Sequence, residues 1–339
     1  MANSLIKTNS FFDLSDCILC PRACHADRLS GASGFCGEAG EIRAARAALY
    51  YSEEPVISGQ TGSGTVFFSG CNVGCSYCQN YKLLGSAGTA AHRTLSPSRL
   101  AEVFLSLQEQ SAANINLVTA AHFLPRVIPA LESAKRQGLS IPVVYNTSSY
   151  ERVEAIRALE GLVDVWLPDF KYFSPELARR YSKAPDYPEV AAAALAEMVR
   201  QCPVPLFSDG THAIDAPDDA DDPLMIKGVI VRHLALPGCA EDSRRILSYL
   251  YSTYGDSIFI SLLNQYTPAA EAVSDPLIGR RLTEEEYDDL VDYAISLGIT
   301  NGFIQGAESQ SLAYTPTFDG TGLDNPYRGV TINRERKSH

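Results

Sequence analysis

Gly70-Cys71-Asn72-Val73-Gly74-Cys75-Ser76-Tyr77-Cys78-Gln79 sets three cysteines in a C-x3-C-x2-C run. The spacing supplies three thiolates in one short loop. A structural zinc site or a simple ferredoxin cluster takes four protein ligands. Three thiolates on a cubane leave one iron open to a small molecule. The competing reading is an incomplete zinc knuckle. The setting favours the cluster, because Val66-Phe67-Phe68 reads as a buried strand and the triplet follows it in a glycine-containing loop.

Outward from this run, residues 61–305 alternate short apolar runs with helical patterns, the mark of repeated βα units. Expected strands are Val66–Phe68, Ile115–Thr119, Pro142–Asn146, Val163–Leu167, Gly228–Leu236 and Ile258–Leu263, with a shorter one at Gly302–Gln305. Pro97–Gln110 and Val127–Gln137 read as helices, the second stopping at Gly138. Six to seven such units predict an α/β fold with a closed or partial barrel of parallel strands. Residues 1–50 read as an N-terminal segment before the barrel, 51–310 as the barrel and 311–339 as a tail without helical or strand period. The Pro- and Asp-rich stretch 203–223 reads as a solvated acidic loop, because it lacks the ligand spacing of a calcium loop.

The chain has 339 residues, 45% of them hydrophobic, enough for one large domain and a small one. A net charge of −12 argues against nucleic acid as a partner. No stretch approaches the ~20 apolar residues of a membrane span. Met1–Asp13 lacks the apolar run and cleavage site of a signal peptide. Nine cysteines without an export signal suggest metal ligation in the cytoplasm rather than disulfides.

Active sites of βα barrels lie at the C-terminal ends of strands. Polar residues gather there: Thr119 and His122; Asn146, Thr147 and Ser148; Asp169 and Lys171; Arg232 and His233; Asn264, Gln265 and Tyr266. Histidines at strand ends are more often hydrogen-bonded structural residues than catalysts, so His122 and His233 are read as pocket-lining.

The cysteine triplet resembles the signature of the radical S-adenosylmethionine (radical SAM) superfamily. The runs Glu53-Glu-Pro-Val-Ile-Ser-Gly-Gln-Thr-Gly-Ser-Gly64, Cys78-Gln-Asn80, Val144-Tyr-Asn-Thr147, Asp169-Phe-Lys-Tyr172, Val231-Arg-His-Leu-Ala-Leu-Pro-Gly238 and Asn264-Gln-Tyr266 are similar to its PflX-like branch. That branch is itself similar to the pyruvate formate-lyase activating enzymes. The resemblance covers about residues 14–305. It implies a partial (β/α)6 barrel open on one side, and an oxidoreductase that cleaves SAM reductively to a 5′-deoxyadenosyl radical under anaerobic conditions. Cys71, Cys75 and Cys78 would hold a [4Fe–4S] cluster whose fourth iron is chelated by SAM. Tyr77 would lie beside the adenine, and Asn146 and Thr147 would face the ribose. Asp169 and Lys171 match an Asp-x-Lys element near SAM or a monovalent cation. Thr119 would meet the SAM amino group with its hydroxyl or through a backbone carbonyl, and His233 would line the SAM pocket. Activating enzymes have Asp-Thr where this chain has Asn146-Thr147, and Gly-Gly-Glu where it has Thr119-Ala-Ala-His122. The implied partners are a glycyl-radical enzyme as protein substrate and an electron donor such as flavodoxin or ferredoxin. The alternatives are a radical SAM maturase or small-molecule enzyme, and a non-catalytic iron–sulfur or zinc scaffold.

A second set, Cys17-Ile-Leu-Cys20-Pro-Arg-Ala-Cys24 with Cys36 beyond, offers four ligands in a loop-rich segment. Zinc and an auxiliary [4Fe–4S] cluster both suit four thiolates. Cys202 and Cys239 stand alone and read as buried inert thiols.

Overall fold

Continuous apolar runs need burial on both faces, and parallel strands sandwiched between other layers provide it. In the computed structural model, which describes residues 10–84, 89–212, 223–306, 309–310 and 315–324, seven such runs form parallel neighbours. They are β2 (Ser63–Phe68), β4 (Ile115–Val118), β5 (Val143–Thr147), β6 (Val165–Pro168), β8 (Met225–Leu234), β9 (Phe259–Leu263) and β10 (Gly302–Ile304). Every residue of β2, β4, β6 and β9 is buried. Each expected strand is present, with ends moved by one to three residues.

Three strands were not foreseen. β1 (Ile42–Tyr50) pairs antiparallel with β2, and β3 (Arg93–Leu95) pairs antiparallel with β1. β7 (Leu206–Phe207) pairs antiparallel with β8. The full order is β10-β9-β8-β6-β5-β4-β2-β1-β3. The sheet therefore begins inside the segment 1–50 that the sequence set before the barrel. Most of the acidic run, residues 213–222, lies outside the described residues.

Helices pack against the strands in alternation: α1 (Pro97–Glu109), α2 (Leu124–Arg136), α3 (Pro175–Ser182), α4 (Tyr187–Gln201), α5 (Ala240–Tyr254) and α6 (Glu284–Ser296). Their starts are written locally. Ser96 accepts from the Arg99 amide ahead of Pro97, and Thr283 and Glu286 form a reciprocal capping box at α6.

Both chain flanks are tied to this frame. Phe11, Phe12, Leu14 and Leu19 join the main core. Within the tail, residues 315–324 lie along β1, where the Gly320 amide donates to the Ala45 carbonyl and the Ala47 amide to the Thr321 carbonyl, both at 2.8 Å. The Phe318 ring meets that of Phe67 at 5.4 Å. The rest of the tail, 311–314 and 325–339, lies outside the described residues.

Candidate functional site: a three-cysteine loop over the strand ends

β2 ends at Phe68 and the chain turns sharply at Gly70. Gly70 has φ 76°, and a Cβ there would stand 2.5 Å from Glu38 Cγ and 2.6 Å from the Cys36 carbonyl oxygen. Only glycine fits this turn. The Cys71–Cys78 loop then folds over a cavity of about 350 Å³. Its lining draws on the ends of six further parallel strands: Val118 and Thr119, Asn146 to Ser148, Asp169 and Lys171, Arg232 and Leu234, Ser261 and Leu263, and Phe303 to Gln305. Cys71, Cys75 and Cys78 all face it, with Tyr77 between them.

Burial is the main influence on the thiols. It pushes Cys71 and Cys78 above the usual range, and the neighbouring sulfurs add to the push. Donors also reach them: the Val73 amide approaches Cys71 Sγ at 3.4 Å and Ser182 Oγ approaches Cys75 Sγ at 3.1 Å. Lys171 Nζ pairs with Asp169 Oδ2 at 2.6 Å. Burial works against its charge, but Asp169 and then the Cys75 sulfur outweigh this and hold the ammonium above its usual range.

Thr119 carries φ 62°. For a β-branched residue this is a strained backbone, and such strain gathers at functional sites. Its amide donates to the Asn146 carbonyl at 3.0 Å, which pins the ends of β4 and β5 together. The Tyr77 ring is buried edge-on against Tyr172, Tyr181 and Tyr266.

Residues 65–215 match the family described as the Radical SAM superfamily. This chain carries that match across the cysteine triplet and the ends of β2, β4, β5 and β6. It is 27% identical over 283 residues to an uncharacterized protein of Methanocaldococcus jannaschii, covering 82% of this chain and 74% of the relative. Among solved structures it aligns with methylornithine synthase at 12% identity and TM-score 0.47, over 79% of this chain and 74% of that one. It also aligns with a domain of a pyruvate-formate lyase-activating enzyme from Bacteroides vulgatus at 14% identity and TM-score 0.35, over 53% of this chain and 89% of that one.

The radical SAM family implies a [4Fe–4S] cluster and SAM, and the donor set here fits both. Buried thiols without metal stay neutral, whereas iron takes them as thiolates. Among the described residues no three His, Cys, Asp or Glu side chains enclose a single metal ion as they stand. A cubane holds its thiolate ligands further apart than one ion does, so three thiols around one cavity suit a cluster. The cavity size suits a small ligand.

Other expected residues fall differently. Thr147 lines the cavity, but its hydroxyl donates to Glu151 Oε1 and accepts from the Ser149 amide at 3.2 Å. It is a fastening rather than a free ligand. His233 does not line the cavity. Its ring bonds the Phe170 carbonyl at 2.8 Å and Ser243 Oγ at 2.9 Å, joining β8 to α5. Side chains alternate along a strand, so with Arg232 facing inward His233 faces the helix layer. His122 is also outside the lining, buried with Nε2 at 2.6 Å from the Ser69 carbonyl. Burial lowers both imidazoles, to about 4 for His233 and about 3 for His122, so both are neutral fasteners.

The cavity floor holds a cluster whose role the sequence did not disclose. Arg232 Nε and Nη2 bond both oxygens of Glu54 at 2.8 and 2.6 Å, and Nη2 also meets Glu53. Glu53 Oε1 accepts from Asn116 at 2.9 Å and Asn146 at 3.4 Å. Burial lifts Glu53, with Arg232 opposing and Glu54 adding to the lift. Against a similar burial cost, Arg232 keeps Glu54 ionised. The adjacent carboxylates of Glu53-Glu54-Pro55 were the available signal. Their partner lies 178 residues away from Glu54, beyond any local pattern.

Proposed function

We propose that this protein is a radical SAM enzyme that binds a [4Fe–4S] cluster on Cys71, Cys75 and Cys78 and activates a glycyl-radical enzyme. The observation that carries the reading is the meeting of three cavity-facing thiols with Thr119, Asn146, Asp169 and Lys171 around one space. Held on those thiolates, the cluster would supply, once reduced, the electron for splitting SAM into methionine and a 5′-deoxyadenosyl radical able to take a hydrogen atom from a glycine Cα of the partner. The electron comes from a low-potential donor such as flavodoxin or ferredoxin. The chain's own part is placement. The Asp169–Lys171 pair sets fixed charge on one wall. Tyr77, held from behind by three tyrosine rings, makes a rigid apolar wall on another. The net charge of −12 favours a partner with a basic face, and association then weakens with salt.

A second reading has its own observation. Thr315 and Pro316 from the tail line the cavity, so chain covers a side that an inserted protein loop would use. That favours a small-molecule substrate of a radical SAM enzyme.

Anaerobic incubation with reductant, SAM and a candidate glycyl-radical enzyme separates the two. The activase reading expects 5′-deoxyadenosine together with a glycyl EPR doublet on the partner. Turnover stimulated by small metabolites and never by a protein transfers the function to the second reading. No SAM cleavage under any condition, with the cluster present, leaves only a scaffold.

A further inference from the structure

We propose that Cys17, Cys20, Cys24 and Cys36 hold a second metal centre, closed by four thiolates, that braces the Cys71 loop. Zinc and a [4Fe–4S] cluster share this ligand chemistry. Four protein thiolates leave no open position, so the centre is structural and takes no substrate.

The four sulfurs are neighbours. The backbone folds them together: the His25 amide donates to the Cys17 carbonyl and the Ala23 amide to the Cys20 carbonyl, both at 3.0 Å, on either side of Cys24. Gly34 makes room between two of them. A Cβ on Gly34 would stand 3.1 Å from Cys24 Sγ and 3.5 Å from Cys36 Sγ. Closure onto zinc needs the thiols to turn inward about their Cα–Cβ bonds, while a cubane accepts a wider spacing.

A buried cation supplies an independent sign. Arg28 is only 2% exposed. It donates to the carbonyls of Glu38, Ala39 and His122 at 3.1, 2.8 and 2.8 Å, and toward Cys17 Sγ at 3.7 Å. Among the described residues no carboxylate lies within ion-pair distance of it, and the nearby Glu38 is paired with Arg43 at 3.2 Å. A buried charge is costly without a counter-charge. Four thiolates on Zn²⁺, or on a [4Fe–4S]²⁺ core, carry net negative charge and supply one beside Arg28.

The backbone also needs such a tie. Between Phe12 and Ile42 there is neither helix nor strand. Ala23 and His25, on either side of Cys24, sit at φ 38° and 55°. Two non-glycine residues in the left-handed region persist only where surroundings over-determine them. Too few apolar side chains lie here for an independent core, so ligand bonds are the natural source of that stability.

Metal analysis of the full chain, purified and reconstituted without oxygen, tests this. Wild type should carry, beyond the iron of the Cys71 cluster, either about one zinc or about four more iron per chain. The variant Cys71→Ala/Cys75→Ala/Cys78→Ala should keep that centre, and Cys20→Ser/Cys24→Ser should lose it. The loss should lower the melting midpoint by roughly 5 °C or more and speed chelator removal of the remaining cluster by about threefold or more. Retained zinc names a zinc centre and retained iron names a cluster. If the triplet variant fails to fold, wild-type stoichiometry decides: one cluster's iron and no zinc overturns the proposal. So does metal content unchanged by Cys20→Ser/Cys24→Ser. Neither readout uses SAM turnover, so failure of the proposed function leaves this result intact.

Discussion

The backbone amide of Cys71 donates to the carbonyl of Cys36 at 3.2 Å. The first cysteine of the triplet is thus hydrogen-bonded to the last cysteine of the N-terminal set. Arg22 extends the contact. Its Nε donates to the Asn72 carbonyl at 2.9 Å and its Nη2 to the Val73 carbonyl at 3.0 Å. The guanidinium also lies over the Phe35 ring, 3.9 Å from its centroid. The loop that should carry the cluster is held from outside the barrel by the segment that precedes β1.

Arg22→Met should therefore weaken the loop while leaving every thiol in place. The variant loses fixed donors to the Asn72, Val73 and Ser182 carbonyls, a cost of about 2 kcal/mol. The reconstituted protein should lose iron faster to a chelator. Equal rates for variant and wild type would show that the clamp is incidental.

Cys71→Ala, Cys75→Ala and Cys78→Ala, each alone, should abolish the SAM-responsive EPR signal of the reduced protein. Three thiolates are the fewest that hold a cubane with one open iron, so no single loss is tolerated. A signal that survives any one substitution moves the site elsewhere.

Asp169→Asn keeps the shape of the side chain and removes its charge. Lys171 then loses its ion pair at the cavity wall. Affinity for SAM should fall about tenfold, the scale of one charge-assisted hydrogen bond, and the cluster spectrum should stay the same. Calorimetric titration of the anaerobic protein reads this. An unchanged dissociation constant assigns the pair to structure alone.

Glu151 offers a pH test. Burial raises its carboxyl to about 7, against the opposing bonds from Thr147 and Tyr145. The folded chain then binds this proton more tightly than the unfolded chain does. Stability from this group is complete below the unfolded pKa near 4.5 and is lost as pH rises toward 7. The integrated effect is about 3 kcal/mol as an order of magnitude. Glu151→Gln stays neutral throughout, so the stability difference between wild type and variant should change by that amount between pH 4.5 and 7.5. A difference independent of pH would mean that the carboxylate is ionised in the fold.

Gly322→Ala should detach the tail. A Cβ there would stand 1.9 Å from the Ala47 carbonyl oxygen, and no neighbouring backbone can yield that far. Limited proteolysis should cut near residue 320 much faster in the variant. Substrate access should rise if the tail guards the cavity mouth.

Legibility followed the range of the forces involved. The parallel strands were readable because burial on both faces writes itself as a local apolar run, as in Ile115–Val118. β1 was not. Arg43 and Arg46 interrupt Ile42–Tyr50 and alanines fill it, so between its two end residues it lacks the β-branched and aromatic residues that usually mark strands. It is a strand because β2 and the tail pair with it. The cysteine triplet was legible through spacing, and Asp169 and Lys171 through a short motif. The Arg232–Glu53–Glu54 floor was not, because it joins distant segments through charge alone. His233 misled, because a strand end points neighbouring residues to opposite faces and sequence does not say which face is the cavity.

The clasp of residues 315–324 on β1 also imposes an order in time. A ribosome releases the Cys71 loop and the parallel strands well before Thr315 and Pro316. Pairing Gly320 with Ala45 joins points nearly a whole chain apart, a late event by loop-closure entropy. Iron delivery to the nascent thiols can then precede the arrival of the last wall, and a chain stopped at Gly306 should load iron as readily as the full one in a time course of cluster absorbance. Cluster insertion and cavity closure become successive steps of synthesis rather than rivals for the same opening.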